Sequence, residues 1–202
     1  MPRDEHQNRE IRDARRDQLL EAASIIFARR GMAGTKISDV AKEAKLSHGL
    51  VYHYFNSKEQ LFYELVKKAS ERSMVSLTKA MEVEGTPLDQ LTLMTEEILR
   101  SIEHGNELHL FVIMIQASTS DAVPEQVTSL LSDVNHSPVK AILPMLIAGQ
   151  ERGEIVQDDP VQLAVAYYAM IQGLAINKIQ WKECPIPKAS MVLRLFTSKG
   201  GK

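Results

Sequence analysis

The sequence predicts an all-α chain in which a small three-helix unit precedes a larger helical one. Apolar residues recur at three- and four-residue steps along most of the chain, and no stretch alternates long enough for a strand. Aromatics make up only 5% of residues while Leu, Ile, Val, Ala and Met are plentiful, a balance that suits helices. Capping residues, glycines and prolines punctuate the periodic runs at helix-sized intervals.

Residues 1–10 are polar and are expected to fray. From about Ile11 to Arg30, Leu19, Ala22, Ala23, Ile26 and Phe27 share one helix face. Gly31 is expected to stop that helix, just after Arg29 and Arg30, whose charge suits a helix C-terminus. Thr35 then reads as the N-cap of a short helix with Ile37, Val40, Ala41 and Ala44 on one side. Lys45-Leu46-Ser47 is a tight connection, and Ser47 can cap a third short helix that runs to about Phe55. Ser57 and Gln60 stand at capping-box spacing before a long helix ending near Val83. The domain boundary is therefore expected between residues 57 and 58.

The region 58–202 is punctuated as clearly. Thr86-Pro87 opens a helix that His104-Gly105-Asn106 ends, and another runs from Glu107 to Gln116. After a loop over Ser118–Val123, helices are expected from Pro124 to Val134 and from Ser137 to Gly153, the latter kinked at Pro144. Asp159-Pro160 opens a helix to about Trp181, and a last one spans Pro187–Ser198.

Composition removes several classes of protein. No apolar run approaches the ~20 residues of a membrane span, the start is too polar for a signal peptide, and the single Cys184 excludes an internal disulfide framework. A cytoplasmic protein is expected. The net charge of −2 hides an asymmetry: residues 1–60 carry 11 Lys/Arg against 9 Asp/Glu, and the remainder 13 against 17. A nucleic-acid surface, if present, belongs to the N-terminal part.

Two short helices joined by a few residues, each with an apolar inner face, make a helix-turn-helix out of residues 35–58. On the second, Val51 and Phe55 fall together and face inward, leaving His48, Gly49, Leu50, Tyr52 and His53 on the outer arc. Side chains at the N-terminal end of such a helix reach base edges while flanking groups hold phosphates. Gly49 costs the helix ~1 kcal/mol relative to alanine and would let the backbone approach DNA closely. Lys58, a cation at a helix N-terminus, is electrostatically out of place unless it meets a phosphate. The alternative is a plain three-helix packing unit whose exposed Tyr, His and Lys residues do nothing.

The run from Leu46 to Leu61, together with Phe27-Ala28-Arg29-Arg30-Gly31, Thr35 and Asp39-Val40-Ala41, resembles the signature of the TetR/AcrR regulators. That resemblance covers about a quarter of the chain. It implies an all-α homodimer: an N-terminal three-helix helix-turn-helix DNA-binding domain, then a larger ligand-binding and dimerisation domain. The expected function is transcription regulation, with a repressor released from a palindromic double-stranded operator by a small-molecule inducer. An activator, or a regulator without a ligand, is the alternative within the same fold. By the resemblance, Thr35 and Lys36 match phosphate-touching positions, Ser47, His48, Gly49 and Leu50 fall where bases are read, and Tyr52, Tyr54 and Lys58 match phosphate or sugar contacts. Leu50 departs from the small polar residue common at its place, and a thymine methyl is a possible partner for it.

Catalytic chemistry is not legible, and no enzyme, cofactor or metal is expected. Ser76-Leu77-Thr78-Lys79 has the S-x-x-K spacing without its companion motifs, and His104 and His109 are not placed on one face. Asn135-His136-Ser137 matches a glycosylation sequon that has no meaning in a cytoplasmic protein. The helix from Pro160 is apolar nearly all the way round, which requires a core on one side and a partner subunit on the other, or else complete burial within the chain. The expected dimer contact comprises Ala166, Ala169, Met170, Gly173 and Asn177, joined by Leu193 and Phe196 of the final helix. Met94, Ile98, Phe111, Met114, Ile115, Tyr168 and Ile171 could line an inducer cavity, with simple hydrophobic core as the alternative for each.

Overall fold

The computed structural model describes residues 5–104, 108–132 and 137–198. Its helices are α1 (Glu5–Gly34), α2 (Ile37–Glu43), α3 (His48–Tyr54), α4 (Lys58–Glu82), α5 (Pro87–His104), α6 (Leu108–Thr119), α7 (Glu125–Ser132), α8 (Pro138–Ala141), α9 (Leu143–Glu151), α10 (Pro160–Gln180) and α11 (Ala189–Val192), the last running into a 3-10 turn, Leu193–Leu195. Among the described residues the only β pairing is a bridge between Ile155 and Thr197. The expected glycosylation sequon and the break at Gly105-Asn106 lie largely outside the described residues.

The helices fall into two compact units. The first comprises residues up to Lys68 together with Ile113–Thr128. Its core is Leu19, Ala23, Phe27, Val40, Val51, Phe55, Leu61, Phe62 and Leu65, with the Phe27 and Phe62 rings 5.1 Å apart. Helix α1 begins at Glu5 and not near Ile11, although its first turns are exposed. Glu, Gln and Arg in that stretch are good helix formers, so the helix extends beyond the residues it buries. Gly31 does break α1, with φ 67° and ψ 179°, a conformation open to glycine.

The second unit comprises Ala69–Val112 and the chain from Ser129 onwards. Helix α5 packs on α9, α10 and α11 around Leu91, Met94, Ile102, Ile142, Leu146, Ala164, Tyr167, Ile171 and Phe196. Within this core Thr95 donates to the Leu91 carbonyl (2.6 Å), so the Tyr167 hydroxyl, 3.0 Å away, donates to Thr95. Burial pushes the Tyr167 phenol up to about 12. Thr86 and Asp89 cap α5 reciprocally, each side chain accepting from the other's backbone N–H.

Two expectations for this unit need correction. Pro144 does not kink one helix; it occupies the first turn of α9, which starts afresh after α8 with Ile142 between them. Proline's missing N–H is harmless in a first turn, so a new helix is favoured over a bent one. The last helix is one turn long before it tightens, because the chain then extends to place Thr197 beside Ile155, with Val156 N–H donating to Phe196 and Ser198 N–H to Glu154. Gly149 permits this clasp: a Cβ there would lie 2.5 Å from the Ile155 side chain.

Candidate nucleic-acid interface

The connection between α2 and α3 is set by backbone geometry. Lys45 adopts φ 56°, Leu46 N–H reaches the Ala41 carbonyl (2.9 Å) and Lys45 N–H that of Lys42 (3.1 Å). This is a Schellman closure with lysine where glycine is usual. Ser47 then caps α3, its hydroxyl oxygen accepting from Leu50 N–H at 3.2 Å, so the hydroxyl proton remains free to donate outward.

Helix α3 buries Val51 and Phe55 and turns His48, Gly49, Tyr52 and His53 to solvent, with Leu50 and Tyr54 half-buried. The His48 and Tyr52 rings meet edge to face at 5.1 Å, and those of His53 and Tyr54 at 5.4 Å. A Cβ on Gly49 would meet nothing within 4 Å. The helix is anchored from behind: Arg16 bonds Glu64 (2.7 Å) and lies 5.5 Å over the Phe55 ring, Gln18 donates to the Ala44 carbonyl (2.8 Å), and Arg30 pairs with Asp39.

Where Gly31 interrupts α1, three backbone carbonyls receive side-chain donors. Thr35 Oγ1 donates to Gly31 (2.7 Å), Lys58 Nζ to Met32 (2.9 Å) and Gln116 Nε2 to Ala28 (3.1 Å). Thr35 is therefore not the α2 cap. Its side chain is buried and turned back onto α1, and the N-cap is the exposed Lys36. Lys58 is half-buried, and its charge at the start of α4 is offset by the negative end of α1. One of its three N–H donors is engaged there. The roles of Gln116, Arg30 and Lys45 are not legible in the sequence pattern. Only the Gly31 stop signal hints that orphan carbonyls would need donors.

In the second unit α10 presents Val165, Ala166, Ala169, Ile176, Asn177 and Ile179 outward, with Met170 and Gly173 half-buried. Leu193 and Phe196 do not join this surface: each is 2% exposed and packed in the chain's own core, whereas Met191 and Leu195 are 63% and 70% exposed. The short terminal helix rotates the pattern, sending the odd pair outward. Of the expected ligand-lining residues, Met94 and Ile171 are buried in the second unit's core, Ile98, Phe111 and Tyr168 pack against it, and Met114 and Ile115 belong to the first unit's segment.

The family model of bacterial regulatory proteins of the TetR type matches residues 19–65, which span the helix-turn-helix and its supports. HTH-type transcriptional repressors called KstR2 align along most of the chain: that of Mycobacterium tuberculosis is 27% identical over 84% of this chain and 82% of its own. The Rhodococcus jostii protein is 27% identical over 84% and 80%. Residues 19–65 thus carry a DNA-binding unit of the TetR type, and the chain along most of its length is similar to regulators of that family. The solved structure of the ketosteroid transcriptional regulator KstR2 of Mycobacterium tuberculosis superposes with a TM-score of 0.71 at 26% identity, covering 92% of this chain and 96% of that one. PfmR of Thermus thermophilus, a TetR-family regulator, gives 0.67 at 26% identity over 86% and 92%. By these likenesses the chain is a DNA-binding transcriptional regulator and not an enzyme. No helix among its described residues is long and apolar enough to cross a membrane.

Proposed function

We propose that this TetR-type regulator is a homodimeric repressor that leaves a palindromic operator when a small, uncharged, largely apolar molecule enters its second unit. The observation that carries the DNA reading is the presentation of α3, with Ser47, His48 and Gly49 exposed at a capped helix N-terminus and nothing standing over Gly49. Base contacts are assigned to Ser47, His48, Gly49 and Leu50, and backbone contacts to Lys36, Tyr52, Tyr54 and Lys58, with His53 at the margin. The dimer contact is assigned to the outward face of α10 (Ala166, Ala169, Met170, Gly173, Asn177), extended by Met191 and Leu195.

The ligand class follows from what the second unit buries. Its buried polar groups among those described include the hydroxyls of Ser70, Thr95 and Tyr167, and no charged side chain is buried there. A charged ligand would find no counter-charge in that core. Repression is favoured by the KstR2 relatives, which are repressors, and the solved KstR2 is a ketosteroid transcriptional regulator, which points to a ligand class of suitable polarity. Activation is the second reading, because an activator, FasR of Mycolicibacterium smegmatis, is 28% identical over 120 residues.

Selection of duplexes from a random-sequence pool by the purified protein tests the reading. Enrichment of a twofold-symmetric site, bound with strong salt dependence, is expected. Failure to enrich any sequence would overturn it. The enriched site placed upstream of a reporter then separates the two outputs by the sign of the change.

A further inference from the structure

We infer that Gln116 is a positioning residue for DNA binding, holding the interrupted end of α1 through a hydrogen bond that packing alone would not require. The inference rests on the DNA-binding reading above. Gln116 lies on α6, 88 residues from its partner, within the segment that belongs to the first unit. Its amide N–H meets the Ala28 carbonyl at 3.1 Å, while its Oε1 is buried without a partner. The orientation is fixed by chemistry: turned over, the amide would set oxygen against oxygen.

An amide with one buried unpaired acceptor is a poor choice for stability alone, and methionine would fill the same space without that acceptor. What the amide adds is a donor at the one place where α1 lacks regular pairing. The Ala28, Gly31 and Met32 carbonyls flank the Gly31 break and are held by Gln116, Thr35 and Lys58 respectively. The same short stretch fixes the entry to α2 at Lys36 and the start of α4 at Lys58, two assigned phosphate contacts. Releasing one of three holds frees the break, so the backbone contacts lose their mutual spacing without losing a charge.

The test uses the full chain and a duplex that the wild-type protein itself selects. Gln116→Met loses the bond to Ala28 but also removes the unpaired acceptor, so its thermal midpoint should stay within a few degrees of wild type, yet it should bind that duplex about tenfold more weakly with an unaltered salt slope. Gln116→Glu supplies a second, independent readout. As a carboxylate it cannot donate to Ala28; when protonated it can. Its affinity relative to wild type, each measured at the same pH, should therefore fall as pH rises between about 5.5 and 8.5. Wild-type affinity in Gln116→Met, or a pH-independent ratio in Gln116→Glu, overturns the inference. Absence of any duplex bound by wild type would instead overturn the DNA-binding reading on which it rests.

Discussion

A methyl group added at Gly49 would meet nothing within 4 Å beyond its own helix backbone and chain neighbours, and in a helix alanine is favoured over glycine by up to about 1 kcal/mol. Gly49→Ala should therefore raise the thermal midpoint by a few degrees while weakening operator binding about tenfold or more, since the methyl stands where DNA would approach. Calorimetry and titration on the same preparation check it, and a variant that gains stability without losing affinity would show that α3 does not approach DNA there. Lys58 behaves differently because it already holds Met32. If it also meets a phosphate, as proposed, Lys58→Ala should flatten the log–log salt slope by about 0.9 and lower stability by about 1 kcal/mol. An unchanged slope would leave it only the hold on Met32. Ser47 and Gly49 are legible in the sequence because their geometry is local: a cap bonds three residues on, and a glycine in a helix declares itself. Thr35 misleads for the converse reason. Its hydroxyl has a choice between the helix ahead and the carbonyls behind, and the Gly31 break decides it.

Elements carry information of a different range. The C-terminus of α9, its Schellman turn at Gly153 and the Ile155–Thr197 bridge form one clasp, which depends on close approach at Gly149. Ile155 is fully buried and β-branched, so it cannot swing away from an added Cβ. Gly149→Ala should cost about 1–2 kcal/mol in denaturant unfolding, overpacking outweighing the gain in helix propensity. The Thr95–Tyr167 pair makes a prediction about alkali. Tyr167 ionises near 10.0 when unfolded and about 12 when folded, so the unfolded chain releases its proton first. Stability is then full below pH 10 and declines towards pH 12, by on the order of 2–3 kcal/mol. Tyr167→Phe should flatten that decline in pH-dependent melts, and an equal decline in the variant would assign it to other groups. Helix starts such as Asp159-Pro160 are readable from the chain because capping is a short-range code. The corrections at Pro144 and at Leu193 and Phe196 share a cause: periodicity locates an apolar face only while the helix continues, and both helices stop early.

At the scale of the whole molecule, the proposed function requires two recognition helices presented together, roughly 34–36 Å apart for adjacent half-sites. Gly173 gives a clean way to test which surface joins them. A Cβ there meets nothing within 4 Å beyond its own helix backbone and chain neighbours, so Gly173→Arg should leave the protomer folded. At a dimer contact the same arginine would be buried without a partner. Sedimentation should then show a monomer, with operator affinity reduced at least a hundredfold because only one half-site is held. A dimer that binds normally would move the interface away from this face of α10. The small-residue stripe on α10 is visible in the sequence, but which residues of the terminal segment accompany it is not, since that depends on the C-terminal clasp.

The clasp also orders events in time. All residues of the DNA-binding unit are present once synthesis passes Thr128, whereas the second unit's core waits for Val192, Leu193 and Phe196 to emerge and close over α5. At about 5–20 residues per second, the DNA-binding unit has a lead of several seconds over the unit proposed to pair and respond. A nascent chain would thus be competent to touch DNA weakly, one half-site at a time, before it is able to find a twin or be told to let go.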